Sequence, residues 1–150
     1  MSNVFLLRKL REHVASLIAG HDAAALNRIP EGLNNNLIWN AGHLLATTDL
    51  LIYGLGGQRT QSDREFIDRY RKGTRPEGEV SAAEIADISE RLLTSVDRLE
   101  ADLDSLDWSN FREYTNSLGI TLRSVDDALA FNLVHEGMHY GTMLAMRKLV

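Results

Sequence analysis

The sequence contains no cysteine. Disulfides, thiolate metal ligands and a protein-borne thiol nucleophile are thereby excluded, and any metal has to be held by histidine, aspartate or glutamate. Proline is nearly absent as well: Pro30 and Pro76 are the only two. There is no basic excess, since 16 Lys and Arg stand against 21 Asp and Glu for a formal charge of −5. Without a Lys/Arg cluster the chain has no face suited to displacing counterions, so no DNA or RNA partner is expected. No apolar run approaches the roughly 20 residues needed to span a bilayer. The start of the chain mixes Val4, Phe5, Leu6, Leu7 and Leu10 with Arg8, Lys9, Arg11 and Glu12, which is an amphipathic helix and not the apolar core of a signal peptide. No membrane partner is expected, and the cytoplasm is the expected location.

What the chain does contain is ordinary globular composition, 44% hydrophobic and 25% charged over 150 residues, which suits a single domain over 1–150. Long stretches at helical period, with no sustained strand-like alternation, point to an all-α protein. A first helix is expected from about Ser2 to Gly20, with Val4, Leu7, Leu10 or Arg11, Val14, Leu17 and Ile18 on one side. His13 lies off that stripe and His21 follows the stop signal at Gly20, so both read as solvated.

Pro30 and Gly32 mark a loop leading to Asn34-Asn35-Asn36, any of which is a suitable N-cap. The second helix, from about Asn35 to Tyr53, is apolar nearly all round, as a central helix should be. One narrow polar line runs along it through Asn36, Asn40, His43 and Thr47, at spacings of four, three and four. A lone histidine in such a helix is commonly a satisfied core residue, but one flanked by groups able to orient its ring suits a metal ligand.

A long connection from Gln58 to Val80 follows, with a short helix over Asp63–Arg71 inside it. Its cations, Arg64, Arg69, Arg71, Lys72 and Arg75, read either as a solvated face or as cover for a pocket mouth, offering an arginine to an anionic substrate. Ser81 with Glu84 forms a capping box for the third helix, whose stripe runs Ile85, Ile88, Leu92, Val96, Leu99, Leu103 to about Leu106. Asp107 to Leu122 is a second long connection, with Trp108, Phe111 and Tyr114 as anchors and Phe111–Thr115 as candidate extended structure. Ser124 with Asp127 starts the last helix. Four long helices with unequal connections make a four-helix bundle, whose core is a natural place for a metal held by facing helices.

The last helix carries His135-Glu136-Gly137-Met138-His139. Residues four apart share a helix face, so both imidazoles can reach one point. The string also satisfies H-E-x-x-H, in which the intervening Glu serves as general base of zinc peptidases. Only eleven residues follow His139, too few for a downstream third ligand of that kind. The inward stripe reads Val125, Leu129, Asn132, His135 or Glu136, His139, Met143, Met146, Val150. Because the second and fourth helices are the ones that carry histidine inward, His43 can meet His135 and His139 across the core.

Pro30-Glu31-Gly32 leading through Asn34-Asn35-Asn36 to Trp39-Asn40-Ala41-Gly42-His43-Leu44, together with His135-Glu136-Gly137-Met138-His139-Tyr140-Gly141 and Leu144-Ala145-Met146-Arg147-Lys148-Leu149, resembles the DinB superfamily over essentially the whole chain. The resemblance implies a DinB-like four-helix bundle, a divalent metal on His43, His135 and His139, and a homodimer formed through the bundle helices. It brings in metal-dependent transferases and isomerases that use low-molecular-weight thiols. One departure stands out: family members often have Gln where this chain has Thr142.

Three neutral imidazoles leave a divalent cation its full charge and an open coordination position, the arrangement of a catalytic site, and Zn, Ni or Fe would fit. The expected activity is thiol-dependent S-transfer or isomerisation of a small-molecule substrate, with the sulfur supplied by a low-molecular-weight thiol cofactor. The alternatives are metal-assisted hydrolysis of a small ester or amide, and a metal-binding dimeric module without turnover. Glu136 is the candidate catalytic base; lying about 100° round the helix from His135, it is equally placed to pair with a surface arginine. Asn40 and Asn132, each about one turn before a histidine, are candidates for orienting the rings.

Overall fold

Each helix starts where a side chain can accept from the free N–H groups of its first turn, and the chain is mostly helical in the computed structural model, which describes residues 1–150. Helix α1 spans Asn3–Ala19, α2 Ala23–Asn27, α3 Leu37–Thr48, α4 Arg64–Tyr70, α5 Ala82–Ser105 and α6 Val125–Met146. The hydroxyls of Ser2, Ser81 and Ser124 accept from the N–H groups of Phe5, Glu84 and Asp127, and the side-chain Oδ1 of Asn36 accepts from the Trp39 N–H. Each replaces a lost water contact for about 1 kcal/mol. The short α2 is an element that periodicity does not reveal. Five residues are too few to show a stripe, and its evidence is the cap, Asp22 accepting from the Ala25 N–H at 2.8 Å.

Helix α1 packs on α5 and α6, α3 packs on the same two helices, and α4 lies against α3. Every residue of α3 is buried except Thr47. The core falls into two apolar clusters, one around Trp39, Leu44, Ile88 and Met143 and the other around Leu7, Tyr53, Val96 and Leu129. Along α1, α3 and α6 the buried polar residues Arg11, Thr48, Asn132 and Glu136 lie between the residues of one cluster and those of the other.

The second expected helix does not stay α-helical to Tyr53. Its α pattern ends at Thr48 and continues as a π-helical turn over Asp49–Gly54. The start of that turn is held by the Asp49 carboxylate, which accepts from the N–H groups of Gln61 at 2.6 Å and Ser62 at 3.0 Å, and two residues past its end a Cβ at Gly56 would lie 2.6 Å from the Trp108 ring. Single π turns recur at functional sites, and here the turn carries Leu50 and Leu51 to the wall of the cleft described below.

The connection before α6 holds a two-stranded antiparallel hairpin, β1 Tyr114–Thr115 and β2 Thr121–Leu122, paired Tyr114 to Leu122 and Thr115 to Thr121. The turn between them needs Gly119 at φ +77°, and the Asn116 side chain accepts from the N–H groups of Leu118 and Ile120 at 2.9 and 3.1 Å. Trp108 and Phe111 anchor the connection to the second core cluster, whereas Tyr114 stays 42% exposed. No helix is long and apolar enough to cross a membrane.

Candidate metal centre

His43 from the middle of α3 and His135 and His139 from α6 bring one nitrogen each to within 4.8 Å of one another. The Nε2 atoms of His43 and His135 are 3.2 Å apart. Two nitrogens about 2.1 Å from one ion at a roughly tetrahedral angle are separated by about that much. The ring centroids of His139 lie 4.6 Å from His43 and 4.4 Å from His135, so the three rings close a triangle.

The rings are held by their opposite edges. Nδ1–H of His43 donates to the carbonyl of Tyr70 at 2.6 Å, the last residue of α4, and the Trp39 ring stacks on the imidazole at 4.8 Å with planes 10° apart. Nδ1–H of His139 donates to Oδ1 of Asn40 at 2.8 Å. The Asn40 amide is itself fixed, donating through Nδ2 to the Asn36 carbonyl at 2.7 Å and to Asn35 at 3.1 Å. With Nδ1 protonated and engaged, each Nε2 is left with a lone pair, the tautomer a metal requires. Asn40 thus orients a ring as its place on the polar line suggested, but the ring is that of His139 across the core. Thr47 stands on the other side, its hydroxyl 3.3 Å from Nε2 of His43.

Electrostatics agrees with neutral ligands. Burial, then the neighbouring imidazoles His139 and His43, press the His135 pKa down to about 3, and burial and His43 bring His139 down to about 4. His43 is lowered too, by burial, against the opposing pull of the Tyr70 carbonyl. Nδ1 of His135 is buried with no hydrogen-bond partner in the chain. Three lone pairs converging in a low-dielectric setting is a costly arrangement for a bare cluster and a suitable one for a cation.

Glu136 and Asn132 do not serve the histidines. The Glu136 carboxylate is fully buried and receives Nε–H of Arg11 at 2.8 and 2.7 Å, while Asn132 donates to Thr48 at 3.1 Å and to Glu136 at 3.4 Å. Glu136 lines no part of the cleft beside the histidines. The reason is the angle round the helix: with His135 turned toward α3 and the cleft, the next residue is directed at α1. The structure places Glu136, the candidate catalytic base, in a buried ion pair with Arg11. Arg11 was the missed partner, and its signal was a charge in an apolar stripe running 4, 7, 11, 14, 18.

The histidines open on a cleft of about 600 Å³. Its walls combine the π turn and α6, with Leu50, Phe131 and Met138, and the hairpin, with Tyr114 and Leu118. Lys72 and Gly73, just after α4, complete the rim. Outside the cluster, His13 is exposed and stacked on Tyr140 at 6.0 Å, and His21 is half-buried with Nδ1 2.8 Å from the Leu17 carbonyl, at the end of α1. Thr142 is exposed and donates to the Met138 carbonyl at 3.0 Å.

Comparison with known proteins bears on this geometry at the level of family and fold. A family model described as DinB superfamily matches residues 6–143. A solved structure, "Crystal structure of the conserved protein of locus from Enterococcus faecalis", aligns at a TM-score of 0.69 with 18% identity, over 99% of this chain and 94% of the other. No curated protein matches.

Proposed function

The chain belongs to the DinB superfamily, and on that footing we propose that His43, His135 and His139 hold one divalent ion, zinc, nickel or iron, for a thiol-dependent transfer or isomerisation of a small molecule. The observation that carries the reading is the convergence of three histidine nitrogens within 4.8 Å, two of the rings having their far nitrogens bound by Tyr70 and Asn40. Held by these three residues, a divalent ion would supply Lewis acidity, lowering the pKa of a thiol or a water.

The chain's own part is orientation and an apolar lining. Tyr70 and Asn40 fix the tautomers, Trp39 holds the plane of His43, and Leu50, Phe131 and Met138 give the cleft an apolar wall. Thr47, the one residue of α3 that is not buried, lines the cleft with its hydroxyl 3.3 Å from Nε2 of His43. The lining of the cleft favours thiol chemistry over hydrolysis of an ester or amide. No carboxylate lines it to act as base toward water, since Glu136 is committed to Arg11. A thiolate needs no such base once formed, and a chain without cysteine must take its sulfur from a small thiol. A cytoplasmic homodimer built on the bundle helices belongs to the same reading, and light scattering checks the assembly.

The test is elemental analysis of natively purified protein, followed by assays on electrophile and ester panels with and without small thiols. One equivalent of a first-row metal and turnover that depends on thiol are expected. Ester cleavage indifferent to thiol would transfer the reading to hydrolysis, and a metal-loaded protein silent on every substrate would leave a binding module.

A further inference from the structure

The cleft beside the histidines is basic although the protein is acidic. None of its 18 lining residues is Asp or Glu, in a chain that has 21 of them and a net charge of −5, whereas Lys72 and Arg112 both line it. Their neighbours are paired: Arg71 with Asp68 at 3.1 Å and Arg123 with Glu113 at 3.2 Å. Lys72 and Arg112 have no carboxylate partner in the chain. Both are carried by anchored backbone. The Arg112 N–H donates to the Leu55 carbonyl at 2.7 Å, and Lys72 comes two residues after Tyr70, whose carbonyl holds His43.

The same cleft is lined by the apolar side chains of Leu50, Leu118, Phe131 and Met138. Free cations over an apolar, acid-free wall attract and orient an anion while its hydrocarbon part is removed from water.

We infer that the cleft binds a small organic acid, its anionic end taken by Lys72 and Arg112 and its apolar body laid along Leu50, Phe131 and Met138 beside the three histidines. This deepens the proposed function and rests on it for the reaction that follows; the binding needs only the cleft. The guanidinium can grip a carboxylate through two parallel N–H groups and the ammonium supplies a point charge, so the site discriminates charge as well as shape.

The experiment is calorimetric titration of metal-free and zinc-loaded protein with three probes of one shape: 3-phenylpropionate, 3-phenylpropionamide and 3-phenylpropylamine. The acid is expected to bind at least about tenfold tighter than the amide, as a charge-assisted hydrogen bond in a half-enclosed site allows. The amine should bind weakest, and the preference should shrink as salt is raised. Lys72→Gln and Arg112→Gln each reduce the preference several-fold and the double variant abolishes it, with zinc content equal to wild type because neither residue is one of the three histidines. Equal binding of acid and amide, or no binding of any probe, overturns the inference. So does a preference seen only with zinc and kept by the double variant, since the ion would then hold the anion. A preference shown by metal-free protein that takes up no zinc supports the inference while the metal reading falls.

Discussion

Arg11 and Glu136 lie 125 positions apart and meet as an ion pair with no solvent exposure on either side chain, Nε–H of the arginine donating to both carboxylate oxygens at 2.8 and 2.7 Å. The arginine also donates to the Leu44 carbonyl at 3.1 Å and the Thr48 hydroxyl at 3.0 Å, so one side chain ties α1 to both α3 and α6. The link sits next to His135 in sequence, and through it the two helices that supply the ligands are held against a third.

Removing one member of this pair strands a charge in the core. Arg11→Met or Glu136→Gln is expected to cost about 3–5 kcal/mol in urea unfolding, and the double change Arg11→Met/Glu136→Leu to recover most of it. Zinc content of the folded single variants should stay at one equivalent. Loss of metal without loss of stability in Glu136→Gln would return that residue to the catalytic site.

Metal uptake should follow the geometry of the rings. His43→Ala, His135→Ala and His139→Ala are expected to abolish binding, while Asn40→Ala, which frees Nδ1 of His139, lowers affinity by about 10- to 100-fold. Asn132→Ala provides the contrast: it bonds Thr48 and Glu136, so it should reduce stability by about 1–3 kcal/mol and leave affinity alone. Competition with a chromophoric chelator measures both; equal affinities for the two asparagine variants would contradict the assignment.

Acid should destabilise the metal-free fold early. In the unfolded chain the histidines bind protons near their ordinary value of about 6.5, whereas folding lowers His43 and holds His139 at about 4 and His135 at about 3. Between those limits the unfolded state carries more protons, so the stability present above about pH 6.5 is lost as the pH falls toward the folded values. Urea midpoints from pH 7.5 to 4.5 should decline steeply in wild type and less in His135→Gln. Identical pH slopes for the two proteins would argue against buried neutral imidazoles.

Gly42 leaves room for the Tyr70 ring, where a Cβ would come within 2.6 Å of it. Gly42→Ala must displace that ring and with it the carbonyl that orients His43. The expected result is a loss of about 1–3 kcal/mol from overpacking together with weaker metal binding. Unchanged thermal stability and affinity would show that the contact has slack.

Much of this protein was legible along the chain. The caps at Ser2, Ser81 and Ser124, the asparagine run ending at Asn36 and the apolar stripes are local features, set by spacing and by the hydrogen-bonding needs of a helix end, so they marked the long helices closely. The histidines were legible for a similar reason, because i and i+4 positions share a face whatever the rest of the fold does. Asp22 and the π turn were missed; five residues show no period, and the turn answers to Asp49 and Gly56 meeting distant parts of the chain.

What the sequence determined by itself was which side chains each helix presents to a common side. Which of His135 and Glu136 faced the cleft and which faced Arg11 was decided only by how α6 is rotated between α1 and α3, a packing choice that neighbouring positions 100° apart leave open. The same packing chose the carbonyl of Tyr70 as partner for His43 and left Lys72 and Arg112 unpaired at the cleft. Backbone acceptors and the absence of an opposing charge have no residue-type signature, so only the three-dimensional arrangement reveals them.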